Sequence, residues 1–147
     1  MYAHGITFGG HPVMCAIALK NIEIMKRERI MEHVLGHEDA FRATLAQLLD
    51  LPICGDLRGT GYFYALELVK DKASRQSFDE EECEELLRGF VSPELFKRGL
   101  ICRADDRGDP VVQISPPLVA GPEEFEVIAS TLGGVLEEAG ERMRVVA

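Results

Sequence analysis

The run Tyr62–Val69 limits the possible folds more than any other stretch. Tyr62, Tyr64, Leu66 and Leu68 fall on one side of an extended chain, and Phe63, Ala65 and Glu67 on the other. That period of two marks a half-buried strand, and its apolar face must be covered by other elements. Ile53–Leu57 reads as a second, shorter strand. Between them the glycines of Arg58-Gly59-Thr60-Gly61 predict a turn, so the two strands form an antiparallel hairpin. Glu67 faces solvent or pairs with a base.

The flanking segments supply helices. From Pro12 to about Met31, Met14, Ala18, Ile22 and Met25 recur at helical spacing and make one apolar face,. Gly36 is expected to break or bend the chain. A second helix follows from about Glu38 to Leu49, with Phe41, Leu45 and Leu48 on one side and Pro52 beyond its end. Ser77-Phe78-Asp79-Glu80 has the form of a capping box, opening a helix that carries Cys83, Leu86, Leu87 and Phe90. Ser92-Pro93 predicts a fresh start as N-cap and first helical residue, and Gly99 closes that helix.

A second hairpin is expected from Leu100–Ala104 and Val111–Ser115, joined by a polar turn. Pro122-Glu123-Glu124 then opens the last helix, with Phe125, Ile128, Leu132 and Leu136 as its buried face,. Gly133-Gly134 implies close packing there. Two hairpins with interleaved helices predict an α+β fold: a small, mainly antiparallel sheet of about four strands with helices on one face.

A chain of 147 residues can bury a real core,. Its net charge of −9 argues against nucleic acid and anionic membrane surfaces,. The acids from Asp79 to Glu85 read as a solvated face. Cys15, Cys54, Cys83 and Cys102 contain no C-x-x-C, so zinc and redox readings are poor and core thiols in a reducing cytoplasm are expected. There is no membrane-length apolar run and no signal-peptide pattern. His33 and His37 share a helix face, yet no third ligand has suitable spacing, and no metal is expected.

Two stretches carry residues suited to chemistry. Gly5, Gly9 and Gly10 let a ligand approach the main chain, and Thr7 adds a hydroxyl,. By themselves these residues are a weak anion-site signal and read first as a glycine-rich lead-in that caps a helix. Arg103, in the apolar run Leu100-Ile101-Cys102-Arg103-Ala104, is open to two readings. It points into a cleft, where a guanidinium suits a carboxylate, or it lies on an edge strand, facing solvent or paired with Asp105 or Glu67.

His4-Gly5-Ile6-Thr7-Phe8-Gly9-Gly10-His11-Pro12-Val13 resembles the class III, or ω-aminotransferase, group of pyridoxal-phosphate enzymes with the type I fold. So do Arg58-Gly59-Thr60-Gly61 with its strand, and Gly99–Leu118. The resemblance implies the small C-terminal domain of such an enzyme over residues 13–147, led by a linker helix, with residues 1–12 as a cofactor-phosphate loop belonging to the absent large domain. It implies that Thr7, with the N–H of Ile6, binds the phosphate of pyridoxal 5'-phosphate across a homodimer interface. It implies that Arg103 reads a substrate carboxylate and that Arg58 is structural. The parent reaction moves an amino group from an amino donor to a 2-oxo acid or aldehyde, in the cytoplasm.

Covalent chemistry on that cofactor needs a lysine. In the family it lies upstream of this motif, and none of Lys20, Lys26, Lys70, Lys72 and Lys97 occupies its position. No catalytic residue is therefore expected within the chain, which by itself should be inactive. A different class of reading is a stand-alone, non-catalytic α+β module for ligand binding or assembly.

Overall fold

The computed structural model describes residues 5, 7–105 and 107–145. Four strands form one antiparallel sheet in the order β1-β2-β4-β3. They are β1 (Cys54–Thr60), β2 (Phe63–Leu68), β3 (Arg103–Asp105) and β4 (Val111–Ile114). The helices are α1 (Pro12–Arg27), α2 (Ile30–Ala46), α3 (Glu80–Cys83), α4 (Ser92–Lys97) and α5 (Pro122–Arg142).

The alternation at Tyr62–Leu68 does what its period requires. Tyr62, Tyr64, Leu66 and Leu68 are buried, as are Leu57 and Val112, which flank Leu66 in the register. Phe41 of α2 and Phe125 of α5 stack against each other with centroids 4.6 Å apart, and Phe41 meets Tyr62 and Tyr64 edge-on at 5.4 and 5.5 Å. Each such pair adds about 0.5–1.5 kcal/mol beyond its burial. This aromatic cluster joins α2, α5 and the sheet. The opposite sheet face stays open and polar. Arg58, Ala65, Gln113 and Arg103 line up across it in register, beside the row Asp56, Glu67, Val111 and Asp105.

Several expected boundaries move. The first hairpin turns at Gly61-Tyr62, and β1 runs on through Arg58-Gly59-Thr60. Gly61 has φ +57 and Gly59 has φ +153, and a Cβ on Gly59 would lie 2.2 Å from the Phe63 carbonyl oxygen. The glycines read as a turn are thus a close strand crossing followed by a two-residue turn.

Gly36 does not break the chain. It lies within α2, between the buried Val34 and Phe41, because one helical glycine costs only about 1 kcal/mol and the apolar face continues through it. The break comes at Arg29, which is left-handed at φ 53, so α1 ends at Arg27 instead of near Met31. The predicted face of α1 is not a core face, since no residue of α1 is buried.

The capping box is Asp79 with Glu82, not Ser77 with Glu80. Glu82 N–H donates to Asp79 at 2.9 Å and Asp79 N–H to Glu82 at 3.1 Å. Phe78, just before the cap, and Cys83 are both buried, which is the hydrophobic staple that fixes the entry. No new helix starts at Ser92. A π-helical stretch, Glu84–Val91, leads straight into α4, and its wider turn accommodates the Pro93 ring, which would clash in a regular helix interior. Gly99, at φ +82, ends α4 as expected: Leu100 N–H reaches Leu95 O at 2.9 Å and Gly99 N–H reaches Phe96 O at 3.0 Å, a Schellman closure,.

The second hairpin forms as expected but from shorter strands, β3 and β4, and α5 follows the sequence. Phe125, Ile128, Leu132 and Leu136 are buried. A Cβ on Gly133 would sit 3.3 Å from Leu48, so α5 closely approaches the 3-10 turn Gln47–Asp50 that follows α2.

Candidate functional site

Thr7 begins the turn Thr7–Gly10, which precedes α1. His11 N–H donates to Phe8 O at 3.1 Å, closing that turn, and Gly10 takes φ +78. Pro12 starts α1, as expected of a residue without an N–H,. Thr7 is exposed, and its hydroxyl has no hydrogen-bond partner among the described residues. A Cβ on Gly5 or Gly10 would meet nothing within 4 Å. An open turn with an uncommitted hydroxyl suits a phosphate. Ile6, the other residue expected there, lies outside the described residues.

Arg103 opens β3, the edge strand. The strand expected from Leu100 is shorter, because Leu100–Cys102 lie outside the sheet. The Arg103 side chain is 60% exposed and places Nη2 3.0 Å from Asp105 Oδ2. Of the two readings of Arg103, the edge-strand pairing with Asp105 is the arrangement seen here.

Asp105 itself is buried, and Arg107 holds it more tightly. Arg107 Nε donates to Oδ1 at 3.0 Å, Nη2 to Oδ2 at 2.6 Å and the backbone N–H to Oδ1 at 3.1 Å. Those Arg107 bonds, side chain first, keep the Asp105 carboxyl well below the usual range, with Arg103 adding a smaller pull. The sequence reading missed Arg107. Its signal is the spacing Asp-x-Arg at the start of a turn, which lets side chain and backbone of one residue grip the same carboxylate.

Arg58 is bound by Asp56 at 3.3 Å and by Glu67 across the hairpin, which agrees with a structural role and settles Glu67 as a partner to a base. The Arg58 guanidinium is stabilised as a cation mainly by its bond to Glu67.

A nucleophilic lysine needs a lowered pKa. Lys20 and Lys97 pair with Glu23 and Glu94 at 2.9 and 2.6 Å on exposed helix faces. Lys72 donates to the Leu49 carbonyl. Lys70 bonds Glu82, which shifts its ammonium upward, the opposite direction.

His33 and His37 do share a face, with rings 4.4 Å apart. Their nitrogens contact carbonyls, His33 Nε2 with Ala120 O and His37 Nδ1 with His33 O, each at 2.8 Å. Cys54 and Cys83 are core thiols, whereas Cys15 is exposed on α1, against the expectation for all four. Among the described residues, no helix is long and apolar enough to cross a membrane.

Comparison with known proteins adds an independent finding. The family profile "Aminotransferase class-III" matches residues 1–136. The "probable aminotransferase Rv3329" of Mycobacterium tuberculosis is 54% identical over 142 residues, which are 97% of this chain and 30% of that protein. The putrescine–pyruvate aminotransferase of Pseudomonas aeruginosa is 37% identical over 93% of this chain and 29% of its own length. Among solved structures, the PMP-bound aminotransferase from Vibrio fluvialis superposes with a TM-score of 0.82 at 31% identity, covering 97% of this chain and 30% of that one. The chain thus spans about 30% of the length of the relatives it matches.

Proposed function

This chain belongs to the class-III aminotransferases, and on that premise we propose that it is the C-terminal part of a cytoplasmic, homodimeric enzyme that uses pyridoxal 5'-phosphate. The enzyme transfers an amino group from an amino donor to a 2-oxo acid or aldehyde. The observation that carries this reading is the 54% identity to a probable aminotransferase over nearly the whole chain. The names of the relatives favour a terminal amine as donor and a 2-oxo acid such as pyruvate as acceptor.

Residues 1–12 form the phosphate loop of a large domain, and residues 13–147 form the small domain with its leading helix. Thr7 and the N–H of Ile6 hold the cofactor phosphate in the partner protomer's site. Arg103 binds the substrate carboxylate and orients it. When bound, the cofactor supplies the electron sink for moving the amino group; its covalent lysine and the acid beside its ring lie in the large domain.

The state of α1 supports this division. Val13, Met14, Ile17 and Ile22 are all exposed, more apolar surface than a free-standing helix face should leave in water. A self-contained binding module would bury such a face.

The test is expression of the complete reading frame. The complete protein, loaded with pyridoxal phosphate, transfers amino groups between an amine and pyruvate. The 147-residue chain alone does not. Thr7→Ala weakens cofactor affinity about tenfold, the loss of one hydrogen bond to a charged group. Transfer by the isolated chain would overturn the proposal.

A further inference from the structure

Arg103 and Asp105 are two apart on β3, so their side chains stand on the same face of the sheet, Arg103 exposed and Asp105 buried,. Two guanidinium groups, Arg103 and Arg107, share the single Asp105 carboxylate. The sharing is unequal. Arg107 spans both oxygens, with Nε 3.0 Å from Oδ1 and Nη2 2.6 Å from Oδ2, and its own N–H adds a third bond at 3.1 Å. Gln113 Nε2 approaches Oδ2 from β4 at 3.4 Å. Arg103 has one approach, Nη2 to Oδ2 at 3.0 Å.

Among the described contacts Arg103 thus has the smaller share of Asp105, because a carboxylate is gripped best by one planar fork through two parallel bonds, and Arg107 already supplies that fork. With the Arg107 side chain removed, Oδ1 would keep only the backbone N–H of residue 107 and Oδ2 only the Gln113 amide, so Arg103 could close a two-bond grip on the lone pairs that remain. An arginine held by its whole fork has little left for a second carboxylate.

We infer that Arg107 is a specificity-determining positioning residue: by occupying Asp105 it keeps the Arg103 guanidinium available to a carboxylate-bearing substrate. The inference rests on the assignment of Arg103 to the substrate carboxylate made above. Arg107 touches neither substrate nor cofactor in this scheme. It acts through the one carboxylate that competes with the substrate for Arg103. Preference for carboxylated over uncharged acceptors is thereby set at the turn after β3, outside the contacts that the acceptor itself makes.

The test uses the complete enzyme preloaded with pyridoxamine phosphate, so that no amino donor is needed. Single turnovers are followed with pyruvate, which carries a carboxylate, and with butanal, which does not. Binding of oxamate, a non-reacting pyruvate mimic, is measured by calorimetry. Arg107→Gln should raise the half-saturating pyruvate concentration and the oxamate Kd about tenfold, with the plateau rate and the butanal response unchanged. Asp105→Asn/Arg107→Gln should return pyruvate to within about twofold of the parent, because the competing carboxylate is gone. Equal effects on pyruvate and butanal, or no restoration by the double variant, would overturn the inference. Arg103→Gln separates the two levels. If it weakens pyruvate and oxamate while Arg107→Gln does not, only the inference falls. If it leaves both unchanged, the role of Arg103 and the inference fall together.

Discussion

Tyr62 and His33 meet on one carbonyl oxygen. The Tyr62 hydroxyl donates to Ala120 O at 3.0 Å, and His33 Nε2 lies 2.8 Å from the same atom. Tyr62 belongs to the first hairpin turn and His33 to α2, while Ala120 stands just before α5. The shared acceptor therefore pins the β4–α5 connection to both. Tyr62→Phe keeps the ring packing on Phe41 and Phe125 and removes one of the two donors. It should lower stability by about 0.5–1.5 kcal/mol, against about 3–5 kcal/mol for Tyr62→Ala. Urea midpoints at unchanged m-value would check this. Equal losses for the two variants would show that the hydroxyl, and not the ring, carries the contribution.

Gly59 is where β1 and β2 approach too closely for a side chain. Its φ is +153 and a Cβ would lie 2.2 Å from Phe63 O. Gly59→Ala must shift the hairpin, at a cost of about 1–3 kcal/mol. Gly108, in the second turn, has nothing within 4 Å of a built Cβ, so Gly108→Ala should stay within about 0.5 kcal/mol of the parent. Thermal denaturation of the pair gives the comparison, and similar midpoints would contradict it.

How far the sequence disclosed this arrangement depended on the kind of signal. The alternation at Tyr62–Leu68 and the helical spacing of Phe125, Ile128, Leu132 and Leu136 were readable because burial alone sets them. Local punctuation was less reliable. Gly36 sits inside α2 because Val34 and Phe41 are buried on either side of it, whereas the actual break falls at Arg29, a residue with no turn preference. Asp79 with Glu82 and Ser77 with Glu80 both fit the capping pattern, and the burial of Phe78 decides between them. The roles proposed for Thr7 and Arg103 rest on motif resemblance. The grip of Arg107 on Asp105 depends on how the turn folds back, which spacing alone does not determine.

Asp105 gives the chain a defined acid response. Its carboxyl is held below the usual range chiefly by the Arg107 side-chain bonds. A carboxyl depressed in the folded state stabilises the fold above its unfolded pKa of about 3.9. That contribution is lost as the pH falls through the lower folded value. Urea midpoints of the parent should therefore drop below about pH 4 more steeply than those of Asp105→Asn. Parallel curves would contradict the assignment.

The thiols should divide by exposure. Cys15 is exposed, Cys54 and Cys83 are buried, and Cys102 is half-buried. Burial pushes the Cys54 thiol up to about 12 and that of Cys102 to about 11, so neither offers thiolate at neutral pH. A thiol-reactive chromophore should label Cys15 rapidly in the folded chain and all four cysteines after denaturation. Rapid labelling of Cys54 in the folded chain would mean that the core is open.

In the proposed function, the chain contributes Thr7 and Arg103 to an enzyme whose covalent lysine lies elsewhere. The most direct measurement is borohydride reduction of the complete protein with pyridoxal phosphate bound, followed by mass-spectrometric mapping of the labelled lysine. A single label on a lysine outside Met1–Ala147 is expected. A label on Lys20, Lys26, Lys70, Lys72 or Lys97 would contradict it.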